Sequence, residues 1–163
     1  MKKNCLILTM LLFLLAMFNL MVTAEATNLE LTPATQSVNS GSQATINIVV
    51  EDVTDLKGAS ITLNFDASKL QYASSAAGGF IPGAAHLPPP PLNLDNVAGW
   101  VILDIISLGS SASSTGTIMT VTFNTTAQGD ANITFGTTLL RDSANADIIH
   151  TVGSGCSVTV NPI

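Results

Sequence analysis

Charge is scarce in this sequence. Only 10% of the 163 residues are Asp, Glu, Lys or Arg, against about 25% in an ordinary soluble domain. Cations are scarcer still: beyond residue 26 only Lys57, Lys69 and Arg141 remain, and they form no basic stripe. Affinity for nucleic acid comes mainly from Lys and Arg set against phosphates, so a nucleic-acid partner is excluded. The formal charge is −6, and the region beyond residue 26 is more acidic still. Aromatic residues make up 5%, too few for an evident planar row of sugar-stacking rings. Tyr72 and Trp100 are the main candidates for such a platform, with Phe80 on a loop. There are two cysteines, Cys5 and Cys156, and Cys5 falls in an apolar leader. A single remaining thiol makes no internal disulfide, so the fold must hold without that staple. Cys156 opens an alternating run and reads as a small buried hydrophobe.

The residues of common enzyme motifs are missing as well. His86 and His150 lie far apart, no H-x-H, HExxH or G-x-S-x-G stretch occurs, and Cys156 has no partner at ligand spacing. These absences point away from an enzyme.

Long apolar runs are confined to the start. Met1-Lys2-Lys3-Asn4 leads into an almost uninterrupted apolar stretch from Cys5 to Val22. A basic tip, an apolar run and small residues behind it describe an N-terminal signal peptide. Ala24-Glu25-Ala26 places cleavage after Ala26, with Val22-Thr23-Ala24 as a second site. Residues 1–26 are thus a leader and 27–163 one domain, secreted or held at the cell surface. Left uncleaved, the leader would be a marginal membrane anchor, and the only membrane contact expected.

Beyond the leader no convincing helix is found, and Asp66 to Leu70 is too short for more than one turn. Strand patterns are abundant. Ala44 to Val50 carries Ile46 and Ile48 on one face. Ala59, Ile61, Leu63 and Phe65 alternate with Ser60, Thr62 and Asn64, the period-2 signature of a half-buried strand. Trp100 to Ser107 is apolar on both faces, which predicts a mid-sheet strand covered on both sides. In Thr117 to Thr125 the inward residues are Ile118 or Met119, then Val121 and Phe123. Ala76 to Pro91, rich in Gly, Ala and Pro and ending in four prolines, reads as loop. Its simpler reading is a surface insertion and its functional one a recognition loop. In all about nine strands emerge, spaced by turn signals as in a β-sandwich.

Acidic residues close in sequence, Asp52 with Asp55 and Asp142 with Asp147, could serve a glycosidase or bind calcium, but such pairs more often cap turns. Asp142, Asn145 and Asp147 have oxygen-ligand spacing, without the Gly and distal Glu of the nearest calcium pattern. No cofactor is expected, and calcium at these three residues is the alternative. Asn124-Thr125-Thr126 and Asn132-Ile133-Thr134 are glycosylation triplets.

The stretch Leu56-Lys57-Gly58-Ala59-Ser60-Ile61-Thr62-Leu63-Asn64-Phe65-Asp66-Ala67-Ser68-Lys69-Leu70 resembles the third-strand region of cohesin domains, the extracellular modules of cellulosome scaffolds. Val38 to Ile46 is similar to that family's opening "V-x-x-G-x-x-V-x-V", and Gly116 to Phe123 to its "G-x-L-A-T-I-x-F" strand. The resemblance spans the mature chain. It implies a flattened jelly-roll sandwich, giving as fold class an all-β, nine-stranded flattened jelly-roll β-sandwich. It implies a non-catalytic module that binds a dockerin-bearing protein linked to polysaccharide degradation. It places the partner-binding face at Gly58, Ser60, Thr62 and Asn64, where Ser60 and Gly58 stand at positions that familiar dockerin binders fill with Asp and Asn. Two other readings stay open: a carbohydrate-binding module acting directly on polysaccharide through Tyr72 and Trp100, and a structural surface or matrix domain.

Overall fold

A computed structural model describes residues 26–87 and 93–163. Residues 1–25 of the expected leader and the run Pro88 to Pro91 lie outside the described residues. Among the described residues eleven strands run in chain order: β1 Asn28–Thr32, β2 Thr35–Asn39, β3 Gln43–Phe65, β4 Leu70–Ala77, β5 Ala84–Leu87, β6 Leu94–Asp95, β7 Trp100–Ser107, β8 Ala112–Thr125, β9 Gly129–Asp142, β10 Thr151–Val152 and β11 Cys156–Asn161. No α-helix occurs among the described residues.

The expected nine strands become eleven among the described residues: β2, β5 and β10 are added, and two runs that read as separate strands merge into one. Ala44 to Val50 and Ala59 to Phe65 are two halves of one 23-residue strand, β3. The inward residues change parity along it: Ala44, Ile46, Ile48 and Val50, then Val53 and Leu56, then Ala59, Ile61, Leu63 and Phe65, all buried. Register shifts near Val53 and Leu56 insert the extra residues. Asp52 and Asp55 sit there with φ of 51° and 62°, a left-handed conformation in which Asp is among the better tolerated residues. The amides of Asp52 and Asp55 donate to Thr115 Oγ1 and Ser113 Oγ across the gap, at 3.1 Å and 2.9 Å.

This bend carries β3 from one layer to the other. Its first half pairs with β1 and β8, its second with β7 and β9. The first layer reads β10, β1, β3, β8, β4. The second reads β5 with β6, then β7, β3, β9, β11, β2. The inward side chains of both halves of β3 meet those of β7, β8, β9 and β11 in one core that includes Leu103, Met119, Phe123, Ile133 and Val158. Phe123 lies at its centre, 5.1 Å from Phe65 and 6.4 Å from Tyr72 between ring centroids.

Two further expectations change. Both Ile118 and Met119 are fully buried, because a bulge opposite Ile48 and Val49 lets successive residues of β8 face inward. Ala84 to Leu87, read as loop, is strand β5 on the edge of the second layer. The short sequence has no alternation of its own, and only pairing with β7 extends it.

Cys156 is buried in β11, and burial raises its thiol pKa, so it is the inert hydrophobe expected. The outer face of the first layer is polar. Thr45 bonds Thr122 at 3.2 Å, Thr120 donates to Asn47 at 2.9 Å and Gln43 to Asn124 at 3.0 Å across β3 and β8.

Candidate functional site

The outer face of the second layer has a different character. On β3 it presents Gly58, Ser60, Thr62 and Asn64, opposite Ile106, Asp104, Ile102 and Trp100 of β7. On the far side of β3, Gly58 pairs with Arg141 and Ser60 with Leu139 of β9. Beyond β7, Ala85 pairs with Ile106 and Leu87 with Asp104. All four residues expected at a partner-binding face thus fall in one row along the middle of this sheet. Ser60 and Thr62 are half-buried, Asn64 is exposed, and the backbone of Gly58 is buried.

The apolar part of the face was missed. β7 is apolar on both sides as expected, with Val101, Leu103 and Ile105 in the core. Among the described residues the expected cover on the other side is absent: Ile102 is half-buried and Ile106 is 47% exposed. Leu87 on β5 is 55% exposed, and Leu139 on β9 is half-buried. The signal was present in the doubly apolar β7 and in Leu139-Leu140, of which only Leu140 turns inward. In β7 that pattern reads as cover on both sides.

Between Gly58, Ile106, Leu139 and Arg141 the face dips into a mostly apolar groove of about 350 Å³. Its rim carries charge that is already engaged. Arg141 pairs with Asp147 at 2.6 Å and donates to the Asn145 carbonyl at 3.1 Å. Lys57 donates to the Gly109 carbonyl. Asp55, beside the rim, accepts from the Ser143 hydroxyl at 2.6 Å, and hydroxyl bonds from Ser111 and Ser143 hold its carboxyl below the usual range. At the other end, a Cβ on Gly136 would stand 3.0 Å from Asn64 Nδ2 and 3.1 Å from Thr62 Cγ2, so the missing side chain there makes room for both.

Edge strand β5 is fastened by His86. Its Nδ1 meets the Asp104 carbonyl at 3.2 Å and its Nε2 meets Ser75 Oγ at 2.7 Å; Ser75 in turn bonds the Tyr72 hydroxyl at 2.6 Å. In the neutral ring, Nδ1 donates and Nε2 accepts from Ser75. The imidazole ties β5 to β4 and β7, and so sets Ala85 and Leu87 on the face. His150 is held structurally too, by Thr138 Oγ1 and the Ile148 carbonyl, both at 2.8 Å.

The two aromatic platform candidates do not come together. Tyr72 is on β4 of the first layer, its ring edge-on to Phe123 and half-buried against the core. Trp100 is on β7 of the second layer, opposite Asn64 on the outer face, although its apolar strand had suggested the core. A shared sugar-stacking surface therefore does not form from this pair. The calcium candidates serve the β9 turn. Asp142 Oδ1 accepts from the Ala144 and Ala146 amides at 2.9 Å and 2.7 Å, Asn145 adopts φ 62°, and Asp147 pairs with Arg141. Among the described residues no three His, Cys, Asp or Glu side chains cluster to hold a metal.

The family model for the cohesin domain matches residues 29–160. Among curated proteins none matches significantly. Solved structures do. The sixth cohesin of scaffoldin B from Acetivibrio cellulolyticus, in complex with a Cel5 dockerin mutant, superposes with a TM-score of 0.66 at 20% identity, over 84% of this chain and 100% of that one. A cohesin of Clostridium acetobutylicum, determined in solution, matches with a TM-score of 0.67 at 17% identity, over 86% and 94%. A non-cellulosomal cohesin of the hyperthermophilic archaeon Archaeoglobus fulgidus matches with 0.67 at 11% identity, over 85% and 92%. At these identities the likeness is one of fold, a β-sandwich.

Proposed function

The chain belongs to the cohesin domain family, and on that premise we propose that it is a non-catalytic docking module that binds a dockerin-bearing protein on the outer face of β5, β7, β3 and β9. One observation carries this reading. Ile102, Ile106, Leu87 and Leu139 form an apolar patch interleaved with the short side chains of Ser60 and Thr62, and among the described residues Ile106 and Leu87 on it stay exposed. Exposed apolar surface rimmed by polar groups marks an interaction site. Short side chains lose little rotamer freedom when a partner packs on them, and hydroxyls can bond it directly or through water. The rigid sheet presents this surface already formed.

Several similar structures are cohesins in complex with dockerins, which supports the class of partner. The leader pattern in residues 1–26 supports action outside the cytoplasm. Capture of a dockerin joined to a polysaccharide-degrading enzyme would place that enzyme wherever this module resides, with no chemistry performed by the module itself.

The test is direct. Each dockerin module encoded by the same genome is titrated against the immobilised chain, and at least one is expected to bind saturably. Ser60→Arg combined with Asn64→Arg should weaken that binding by about 100-fold or more. Thr45→Arg, on the outer face of the opposite layer, should leave it unchanged. Silence from every dockerin, or full binding by the double variant, overturns the reading.

A further inference from the structure

Gly58 stands in the interior of β3, where a glycine weakens a strand unless something requires its missing side chain. Its backbone does not require it: φ lies outside the left-handed region that several other glycines of the chain occupy. What the glycine does is open the floor of the groove. A Cβ there would stand against β7, 3.2 Å from the Ile105 carbonyl and 3.9 Å from Ile106 Cγ1. The groove it leaves is walled by Ile106 and Leu139.

The groove is continuous with the docking face, since Gly58 is the next outward residue after Ser60 on the same strand. Its chemistry limits what could fill it. The lining is mostly apolar, and both rim cations are spent on partners within the chain, Arg141 on Asp147 and Lys57 on the Gly109 carbonyl. An anionic group would find no free cation there, and a polar group on the floor would give up water for few partners. An aliphatic side chain suffers neither loss.

We infer that the Gly58 groove seats one large aliphatic side chain, Leu, Ile or Met, of the dockerin that docks on the face, and that this contact sets which dockerins the chain accepts. The inference rests on the docking reading above and adds a specificity determinant to it. Partners with a charged or short polar residue at that position are discriminated against, because they leave the groove empty or bury a group without a counterpart. Side chains buried in well-packed pockets carry much of an interface's binding energy.

The experiment uses the full domain and the dockerin modules that bind the wild type in the titration above. Gly58→Leu fills the groove with the chain's own side chain and should weaken binding by about 30-fold or more. Ile106→Gln changes the chemistry of the wall at an exposed position, gives the same answer should Gly58→Leu misfold, and should weaken binding by about tenfold. Alanine substitution across the dockerin should find one large aliphatic residue whose loss is no longer felt in Ile106→Gln, the sign of direct coupling in a double-mutant cycle. If the wild type binds but Gly58→Leu, shown folded by circular dichroism, binds within about threefold of it, the groove assignment is wrong and the docking face stands. No binding of any dockerin by the wild type removes both. Sedimentation that shows the wild type self-associating through this groove, and Gly58→Leu monomeric, would assign it to a second copy of the chain and overturn the inference.

Discussion

Asp66 closes β3 with a small network of its own. Oδ1 accepts from the Ser68 amide at 3.0 Å and from its hydroxyl, and Oδ2 pairs with Lys69. The backbone carbonyl of Asp66 receives the amides of Lys69 and Leu70, which starts β4. The bond from Lys69, followed by those from Ser68, holds the carboxyl pKa below its ordinary value. Folding therefore favours the ionised form. Its contribution to stability is complete above the unfolded pKa, about 3.9, and is lost as pH falls through the lower folded value. Urea midpoints should accordingly drop between about pH 5 and pH 2, with Asp55 and Asp95, also held low, contributing to the slope. Asp66→Asn should flatten part of that drop; an unchanged profile would remove Asp66 as a contributor. At this scale the sequence was informative wherever one strand sufficed. The alternation of Ile61 and Leu63 with Ser60 and Thr62 needed no neighbour to be read. The groove was not legible, because Gly58, Ile106 and Leu139 come from three strands far apart in sequence, and only register brings them together.

The element that organises the fold is β3, and its two bulges turn a strand into a corner. Asp52 and Asp55 make the corner by adopting positive φ while Val53 and Leu56 both stay in the core. A left-handed residue costs roughly 1–2 kcal/mol for an L side chain and essentially nothing for glycine, and β-branching makes it worse. Asp55→Gly and Asp55→Val both delete the carboxylate that holds Ser143, so their difference isolates the backbone. Asp55→Val should be less stable than Asp55→Gly by about 1–2 kcal/mol in chemical denaturation. Equal stabilities would mean that the corner tolerates an extended residue. The same corner explains why two strands were read where one exists. Asp-x-x-Asp between apolar runs is a turn signal in most settings, and here it marks bulges that keep pairing partners on both sides. Strand β5 was hidden for the opposite reason: Ala84-Ala85-His86-Leu87 has no period to detect, and it is a strand because His86 and the β7 edge hold it.

At the scale of the whole molecule, the two outer faces differ in what they leave unsatisfied. On the first layer, Thr, Asn and Gln side chains bond one another across strands. On the second, an apolar patch is open and almost free of charge, with Asp104 the one acidic residue among the outward positions of β3 and β7. The all-β class and the sandwich were legible from alternation and turn spacing. Which face stays open was not, because an uncovered apolar row and a covered one look the same in sequence. The chain as a whole carries −6, so a partner steered by long-range attraction would bind in a strongly salt-dependent way. The face described here works by contact instead. Raising salt from about 0.1 M to about 1 M shortens the Debye length from about 10 Å to about 3 Å, yet dockerin affinity should change by no more than about threefold, because the apolar core of the contact carries no net charge and Arg141 is paired within the chain. Calorimetric titration at the two salt concentrations, accompanied by a negative heat-capacity change from apolar burial, checks this. A fall in affinity of tenfold or more, about 1.4 kcal/mol, would show that binding runs through Asp104 and the acidic surroundings, and that the apolar patch is not what the partner reads.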